Sequence, residues 1–237
     1  MSRMERALGE GRLQVAIDGP AASGKSTVAL GLARRVGLLL VDSGSMYRTV
    51  ALLSLEEDVP PDDRAALVVL ATQVASAFRL ELRDGETLRV FLGDREVTDD
   101  IRSPRVGSCV SPVSEEPAVR ERMVVLQRCL VQGRDAVVEG RDIGTTVLPD
   151  APLKVFLGAS REERVRRRAE EMRDKGVDVT HEQVRDEIAR RDEIDSSRAV
   201  SPLRPAPDAI QIDTTDKTAA DVVDEIVGLL ADRGLVH

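Results

Sequence analysis

The chain has 237 residues with no Trp, one Tyr and three Phe, and it contains no Asn. With aromatics at 2%, packing falls to Leu, Val, Ile and Ala, and a hydrophobic fraction of 42% is enough for a buried core. The scarcity of rings also argues against single-stranded nucleic acid as a partner, because such proteins stack bases on aromatic side chains. The two cysteines, Cys109 and Cys129, stand in no metal-ligand spacing and suggest no disulfide framework, so two thiols in a reduced cytosol are expected. No apolar run approaches the length of a bilayer span, and Val36 to Val41 is broken by Gly37. No signal peptide or lipidation signal is visible, and a cytoplasmic protein without a membrane partner is expected. The polar stretch Met1 to Arg12 is expected to fray. Lysine is scarce as well. Only Lys25, Lys154, Lys175 and Lys217 are lysines among 34 cationic residues, so thirty are arginines. A net charge of −8 argues against bulk nucleic acid. Arginine grips phosphate through a planar fork, although a general arginine bias accounts for most surface positions.

What is present reads as strands alternating with helices. Leu13 to Ile17 is a buried strand stopped by Asp18-Gly19-Pro20, and Ser26 to Val36 is helical. Leu38 to Val41 is a second strand, Met46 to Leu55 a helix, and Pro60 to Asp63 a break whose Asp62 or Asp63 caps a helix from Arg64 to Ala77. Phe78 to Val97 alternates with period two around an Asp84-Gly85 turn signal, which predicts a small antiparallel sheet. Pro117 to Val131 is helical. Ala136 to Val138 and Leu153 to Leu157 are buried strands, and Arg161 to Arg173 is a highly charged helix. Thr180 to Arg191 is a helix with Thr180 and Gln183 in capping-box spacing. A proline-containing loop from Ser201 to Asp208 leads to a fifth strand, Ala209 to Ile212, and a closing helix, Thr218 to Leu230. The expected fold is α/β: a five-stranded parallel sheet with helices on both faces and a small antiparallel insertion.

Gly19-Pro20-Ala21-Ala22-Ser23-Gly24-Lys25-Ser26 matches G-x-x-x-x-G-K-[ST] without departure. The glycines let backbone N–H groups turn inward around phosphates, and the next helix adds its positive end. Lys25 is expected to span the β- and γ-phosphates of ATP and the Ser26 hydroxyl to help hold Mg²⁺, with Thr27 completing the ATP-binding run. A strand before the motif and a helix after it supply the context it requires, so the α/β sheet is expected to be of the P-loop NTPase type, with a helical lid.

Three kinds of P-loop protein are open. A GTPase switch reads guanine through an Asn-Lys-x-Asp element, which a chain without Asn lacks. A mechanical ATPase needs an apolar strand ending in an acid; Val137-Val138-Glu139 is a tolerable match, but the Gly140-Arg141-Asp142 that follows looks more like a substrate-binding turn. A kinase of a small acceptor needs a second phosphate site facing the cradle. Arg48 lies just beyond the second strand, Arg141 at the C-terminal end of the third, and Arg191 and Arg198 flank Asp195 in what reads as a loop after a charged helix. Arg161, Arg164 and Arg166 to Arg168 crowd one helix, which reads as a lid carrying an arginine to ATP or as a solvated face.

Ile17-Asp18-Gly19-Pro20, Asp42-Ser43-Gly44-x-x-Tyr47-Arg48, Glu139 to Thr145, Arg191-Asp192-x-x-Asp195-x-x-Arg198 and Ser201-Pro202-Leu203 resemble bacterial cytidylate kinases, in that family's order and spacing. The resemblance runs from Leu13 onward. It implies transfer of the γ-phosphoryl group of ATP to CMP or dCMP, with catalysis by Lys25, Arg141, Arg191 and Arg198. It puts Asp142, Arg120 and Ser111 at the base, Ser43 and Asp195 at the ribose, and Arg48, Arg141 and Arg198 at the α-phosphate with Arg191 nearby. A carboxylate accepting from the exocyclic amine and an arginine donating to the acceptor edge would select cytosine over uracil. Taken alone, Arg120 at the start of a helix and Ser111 before Pro112 in a loop read as surface positions. The resemblance further implies a core of residues 13–60 and 114–237, a lid at about 160–195 and a CMP-binding insertion at 61–113. A monomer is expected. Departures are small: Ser26 stands where some relatives carry Gly, and Ser196 and Ser197 are small residues between Asp195 and Arg198. A kinase of UMP, AMP or shikimate, and a nucleotide-binding regulator without catalysis, are the alternatives.

Overall fold

The computed structural model describes residues 12–84, 87–174 and 176–236. The terminal stretch up to Gly11 and Gly85 of the expected hairpin turn lie outside the described residues. Five strands, β1 (Gln14–Asp18), β2 (Leu39–Asp42), β6 (Ala136–Gly140), β7 (Leu153–Gly158) and β8 (Ile210–Asp213), form one sheet in the order β2-β6-β1-β7-β8. Every pairing in it is parallel. β1 and β6 are buried almost throughout, as continuous apolar runs covered on both faces should be. The chain moves to one side of β1 for β2 and β6 and to the other for β7 and β8. The crevice beyond the C-terminal end of β1 therefore lies at the reversal in strand order, where open α/β sheets bind ligands.

Helix α1 (Lys25–Val36) follows the phosphate-loop motif and packs with α8 (Ala219–Asp232) on one face, where Leu32, Val28, Ile226 and Leu230 join Ile17, Leu153 and Leu157. On the other face lie α2 (Ser43–Glu56), α3 (Arg64–Ala77) and α5 (Pro117–Val131), with Met46, Leu67, Leu70 and Met123 buried against Ala16, Val41 and Val138. Asp63 caps α3 by accepting from Ala66 N, and Asp42 caps α2 by accepting from Ser45 N. Strands β3 (Phe78–Arg83), β4 (Thr87–Leu92) and β5 (Arg95–Glu96) form the small antiparallel sheet that the alternation predicts. Helix α6 (Arg161–Asp174) and α7 (His181–Ser197) pack on each other around Val165, Ala169, Val184 and Ile188. The Thr180–Gln183 capping box is present.

Two local expectations are corrected. Ser111 and Pro112 lie not in a loop but in helix α4 (Pro104–Glu115), capped by Ser103. Val106, Val110 and Val113 recur at helical spacing and bury against the core, and this apolar stripe sustains the helix through the proline. Arg191 and Asp195 likewise lie in helix, since α7 runs on to Ser197 with Arg198 as its C-cap. Asp195 is buried on that last stretch, where two arginines neutralise it.

Candidate active site

β1 delivers the chain into the phosphate loop at Gly19, and the approach there is close. A Cβ at Gly19 would lie 2.2 Å from the Leu157 carbonyl oxygen on β7, so only glycine fits. Gly24 then takes φ 88° as N-cap of α1, with Ala22 at φ 59° between them. Lys25, the first residue of α1, folds back into this loop. Its Nζ donates to the Pro20 carbonyl at 2.6 Å and to Ser23 Oγ at 3.4 Å. Burial, and then Arg141, push its pKa well below the ordinary lysine value. Facing it at the end of β6 is Glu139. Burial and the neighbouring Asp42 raise that carboxyl to about 7, against the pull of Lys25 and a hydrogen bond from Ser26.

A cleft of about 760 Å³ opens above these groups, within the range of small-molecule sites. From the phosphate loop it is lined by Ala21, Ala22, Gly24, Lys25, Ser26 and Thr27. Gly19, Pro20 and Ser23 do not line it; Ser23 is fully buried, and Pro20 and Ser23 accept from Lys25 within the loop. The structure brings to this one cleft every residue that the resemblance puts at the acceptor, Ser43, Arg48, Ser111, Arg120, Arg141, Asp142, Arg191, Asp195 and Arg198, whereas of the α6 arginines only Arg167 and Arg168 line it. The former come from α2, α4, α5, the end of β6 and α7, with Arg198 just past the end of α7.

Two charge constellations divide the wall. In the first, Asp195 is shared: Oδ2 accepts from Arg141 Nε at 2.8 Å and Oδ1 from Arg198 Nη2. Burial pushes the Asp195 carboxyl up, but Arg141, Arg198 and Arg191 outweigh it and hold it below the ordinary value. Arg191 has the opposite balance. Burial, Arg141 and Arg48 lower it to about 9, against a smaller pull from Asp195. Arg48 is lowered too, by burial first, and donates one long bond (3.4 Å) to the Ile101 carbonyl. Arg48, Arg141 and Arg191 thus repel one another across the cleft, an arrangement that a polyanionic group would relieve.

The second constellation is a deeper ion pair. Arg120 donates from Nη2 to Asp142 Oδ2 at 2.6 Å and from Nη1 to the Ser114 carbonyl at 3.2 Å. Its guanidinium stands 5.4 Å from the ring centroid of Tyr47. Contrary to the surface position its place in sequence suggests, Arg120 is 2% exposed. Ser43 is buried as well, and its Oγ donates to the Glu139 carbonyl at 2.7 Å. Gly140 permits that approach, since a Cβ there would meet Ser43 Oγ at 2.5 Å.

Further charged groups stand in or against the cleft. Glu139 was discounted as a motor-type acid, yet its carboxylate lies beside Lys25 and Ser26. Asp18 is buried below the loop, where its two carboxylate oxygens accept from the N–H groups of Ile143 and Gly144, both at 2.8 Å. Burial nonetheless raises it to about 6. On α6, Arg164 donates to the Ala21 carbonyl and pairs with Asp192 of α7 at 2.7 Å. Arg167 lines the cleft and donates to the Thr214 carbonyl at 2.6 Å. The signal for Glu139 is its place at the end of an apolar strand, and for Arg164 and Arg167 the crowding of arginine on one helix; no local signal marks the bonds that Asp18 makes.

The candidate donors for a metal are hard oxygens: the exposed Ser26 hydroxyl beside the Glu139 carboxyl. Among the described residues no three His, Cys, Asp or Glu side chains form a metal cluster. Such a set fits a Mg²⁺ ion that keeps waters and substrate phosphates as most of its ligands.

Comparison with known proteins agrees with this geometry. The family model for cytidylate kinase matches residues 15–232. The cytidylate kinase of Pelotomaculum thermopropionicum is 49% identical over 90% of this chain and 93% of its own. That of Caldanaerobacter subterraneus is 47% identical over 90% and 92%, and that of Mycobacterium avium 48% over 94% and 96%. Among solved structures, an uncharacterised protein of Eubacterium ventriosum aligns with a TM-score of 0.51 over 94% of this chain and 99% of its own; at 15% identity the likeness is one of fold.

Proposed function

The chain belongs to the cytidylate kinase family, and we propose that its cleft carries out the reaction of an ATP-dependent CMP and dCMP kinase with the residues described above. The γ-phosphoryl group of ATP passes to an α-phosphate oxygen of the acceptor; a P–O bond to that oxygen forms as the bond to the β-phosphate oxygen breaks, giving ADP and CDP or dCDP. An acceptor phosphate is already a dianion near neutral pH, so no strong base is needed, and positioning with charge neutralisation supplies most of the catalysis.

The observation that carries the reading is the convergence in one cleft of Lys25 with the mutually repelling Arg48, Arg141 and Arg191. In the proposed assignment the loop from Gly19 to Thr27 binds ATP, with Lys25 leaving the Pro20 carbonyl for the phosphates. Arg48, Arg141 and Arg198 hold the acceptor phosphate, and Arg191 and Arg141 take up charge on the transferring group. Asp195 shares its carboxylate between the arginines and the ribose, with Ser43 beside it. Asp142, Arg120 and Ser111 read the base: a carboxylate there favours the cytosine amine and opposes the uracil carbonyl oxygen. Ser26 would hold Mg²⁺, which when bound would neutralise phosphate charge in the cleft.

In the same reading residues 61–113 form the acceptor-binding insertion and about 160–195 the lid on a core of 13–60 and 114–237. Support comes from the cleft wall, to which Arg102 and Ser111 contribute from the first segment and Arg167, Arg168 and Arg191 from the second. Closure of these segments would exclude water and suppress ATP hydrolysis. We read the enzyme as a cytoplasmic monomer acting on small molecules and not on nucleic acid; its free Cys109 and Cys129, its net charge of −8 and the lack of a membrane-spanning helix among the described residues support that.

The test is ADP formation from ATP and Mg²⁺ with CMP, dCMP, UMP or AMP as acceptor. CMP and dCMP are expected to exceed the others by at least about tenfold in kcat/KM. Lys25→Ala is expected to abolish turnover with every acceptor. Equal activity with UMP or AMP would reject the acceptor assignment, and ADP release independent of acceptor would reject the kinase.

A further inference from the structure

The segment after β6 turns as a single π-helical stretch over Ile143–Val147, and the residue in its N-cap position is Asp142. An aspartate there would ordinarily turn its carboxylate onto the first free N–H groups of the turn. Asp142 makes no such bond. Its Oδ2 instead accepts from Arg120 across the cleft wall. The open N–H groups of Ile143 and Gly144 are satisfied from elsewhere: Asp18, at the end of β1, offers one carboxylate oxygen to each at 2.8 Å. The cap is supplied by a different strand.

We infer that Asp18 is a positioning residue for recognition of the acceptor base: by capping the turn in place of Asp142, it leaves the Asp142 carboxylate free to face Arg120 and the base. The inference rests on the proposed role of Asp142. It extends that role by joining the donor and acceptor sites through one residue, since Asp18 immediately precedes Gly19 of the phosphate loop. Strand pairing reinforces the join, because Asp18 lies opposite Gly140 in the β1–β6 register and opposite Phe156 in the β1–β7 register.

The chemistry requires two acceptors on one small side chain. Two adjacent backbone N–H groups point at two oxygens, and the site is 3% exposed, so no water replaces a missing acceptor. Asparagine offers one acceptor and one amide donor, and that donor would face an N–H. In Asp18→Asn one N–H is therefore left unpaired, and the Asp142 side chain is the nearest alternative cap. Once Asp142 turns back onto its own helix it leaves Arg120, and discrimination at the base weakens.

The experiment compares wild type and Asp18→Asn in kcat/KM for CMP and UMP and in KM for ATP, on protein shown to be folded by its cooperative unfolding. The expected result is a CMP:UMP preference reduced at least about tenfold, by a rise in KM for CMP, with KM for ATP changed less than about threefold. Asp18→Glu, which keeps two acceptors, is expected to recover part of the preference. A folded Asp18→Asn enzyme that is less stable yet keeps the full CMP:UMP ratio would overturn the inference and leave Asp18 a purely structural group. A wild-type enzyme with no CMP preference would instead reject the role of Asp142. Should Asp18→Asn not fold, hydrogen exchange on the wild type decides: the Ile143 and Gly144 amides are expected to be protected in the absence of nucleotide, and fast exchange at both would overturn the clamp.

Discussion

Arg120 and Asp142 meet in a hydrogen-bonded ion pair of 2.6 Å, both side chains nearly sealed from solvent at 2% and 6% exposure. Charges so placed are held by each other, and the Tyr47 ring beside the guanidinium adds a further attraction. The pair has a consequence for stability that is separable from its consequence for specificity.

Removing one partner strands the other as an uncompensated buried charge. Arg120→Ala and Asp142→Ala are each expected to destabilise the protein by about 3–5 kcal/mol, whereas the double replacement Arg120→Met with Asp142→Leu recovers most of that loss. Denaturant unfolding of the three variants checks this, and single variants that are as stable as the double would contradict it. All three should lose preference for CMP, because the base contacts go in each.

Glu139 gives a stability profile with a definite sign. Its folded value of about 7 exceeds the ordinary 4.5, with burial as the main cause. Between those values the folded protein keeps a proton that the unfolded chain has released, so this group's contribution falls as pH rises from about 4.5 to about 7 and is level above that. Glu139→Gln stays neutral throughout. Its stability relative to wild type should therefore improve between pH 5 and 7.5, on the order of 2 kcal/mol, in urea titrations at several pH values. Parallel curves for the two proteins would show that Glu139 titrates normally.

Arg191 is held at a depressed value by burial and by Arg141 and Arg48, so its charge is unfavourable in the ligand-free fold. Arg191→Ala is expected to keep or raise the Tm of the free enzyme while lowering kcat about 10- to 100-fold, as loss of a charge on the transferring group should. Millimolar inorganic phosphate should raise the wild-type Tm and raise that of the variant less. An equal phosphate effect on both would remove Arg191 from the anion site.

The elements that carry strong local patterns were legible in the sequence. The phosphate loop declares itself by eight residues, the buried strands by apolar runs, and the small sheet by its alternation. Helix α4 was not legible, because Pro104, Gly107, Ser108, Ser111 and Pro112 read locally as a loop, and only packing of Val106, Val110 and Val113 against the core overrides them. The end of α7 was missed for a similar reason: Asp195 and its arginine partners look like solvated charge until β6 brings Arg141 to them. The phosphate-loop residues follow from their motif and Arg48, Arg141, Arg191 and Arg198 from their places along the chain, whereas Ser43, Ser111, Arg120 and Asp142 are named only through family resemblance. What no pattern conveys is the role of Asp18, whose partners Ile143 and Gly144 are adjacent to it only in space.

The strand order also dictates when this protein can become itself. The central strand β1 pairs Gln14 with Ala136 and Val15 with Leu153, so both of its neighbours arrive more than a hundred residues later in the chain. A ribosome making this polypeptide releases the apolar β1, α1 and β2 well before any strand exists to lie beside β1. The nascent first half must wait, exposed, for β6. Topology of this kind folds slowly and late, and it makes the emerging chain a natural client for whatever shields unpaired strands during synthesis.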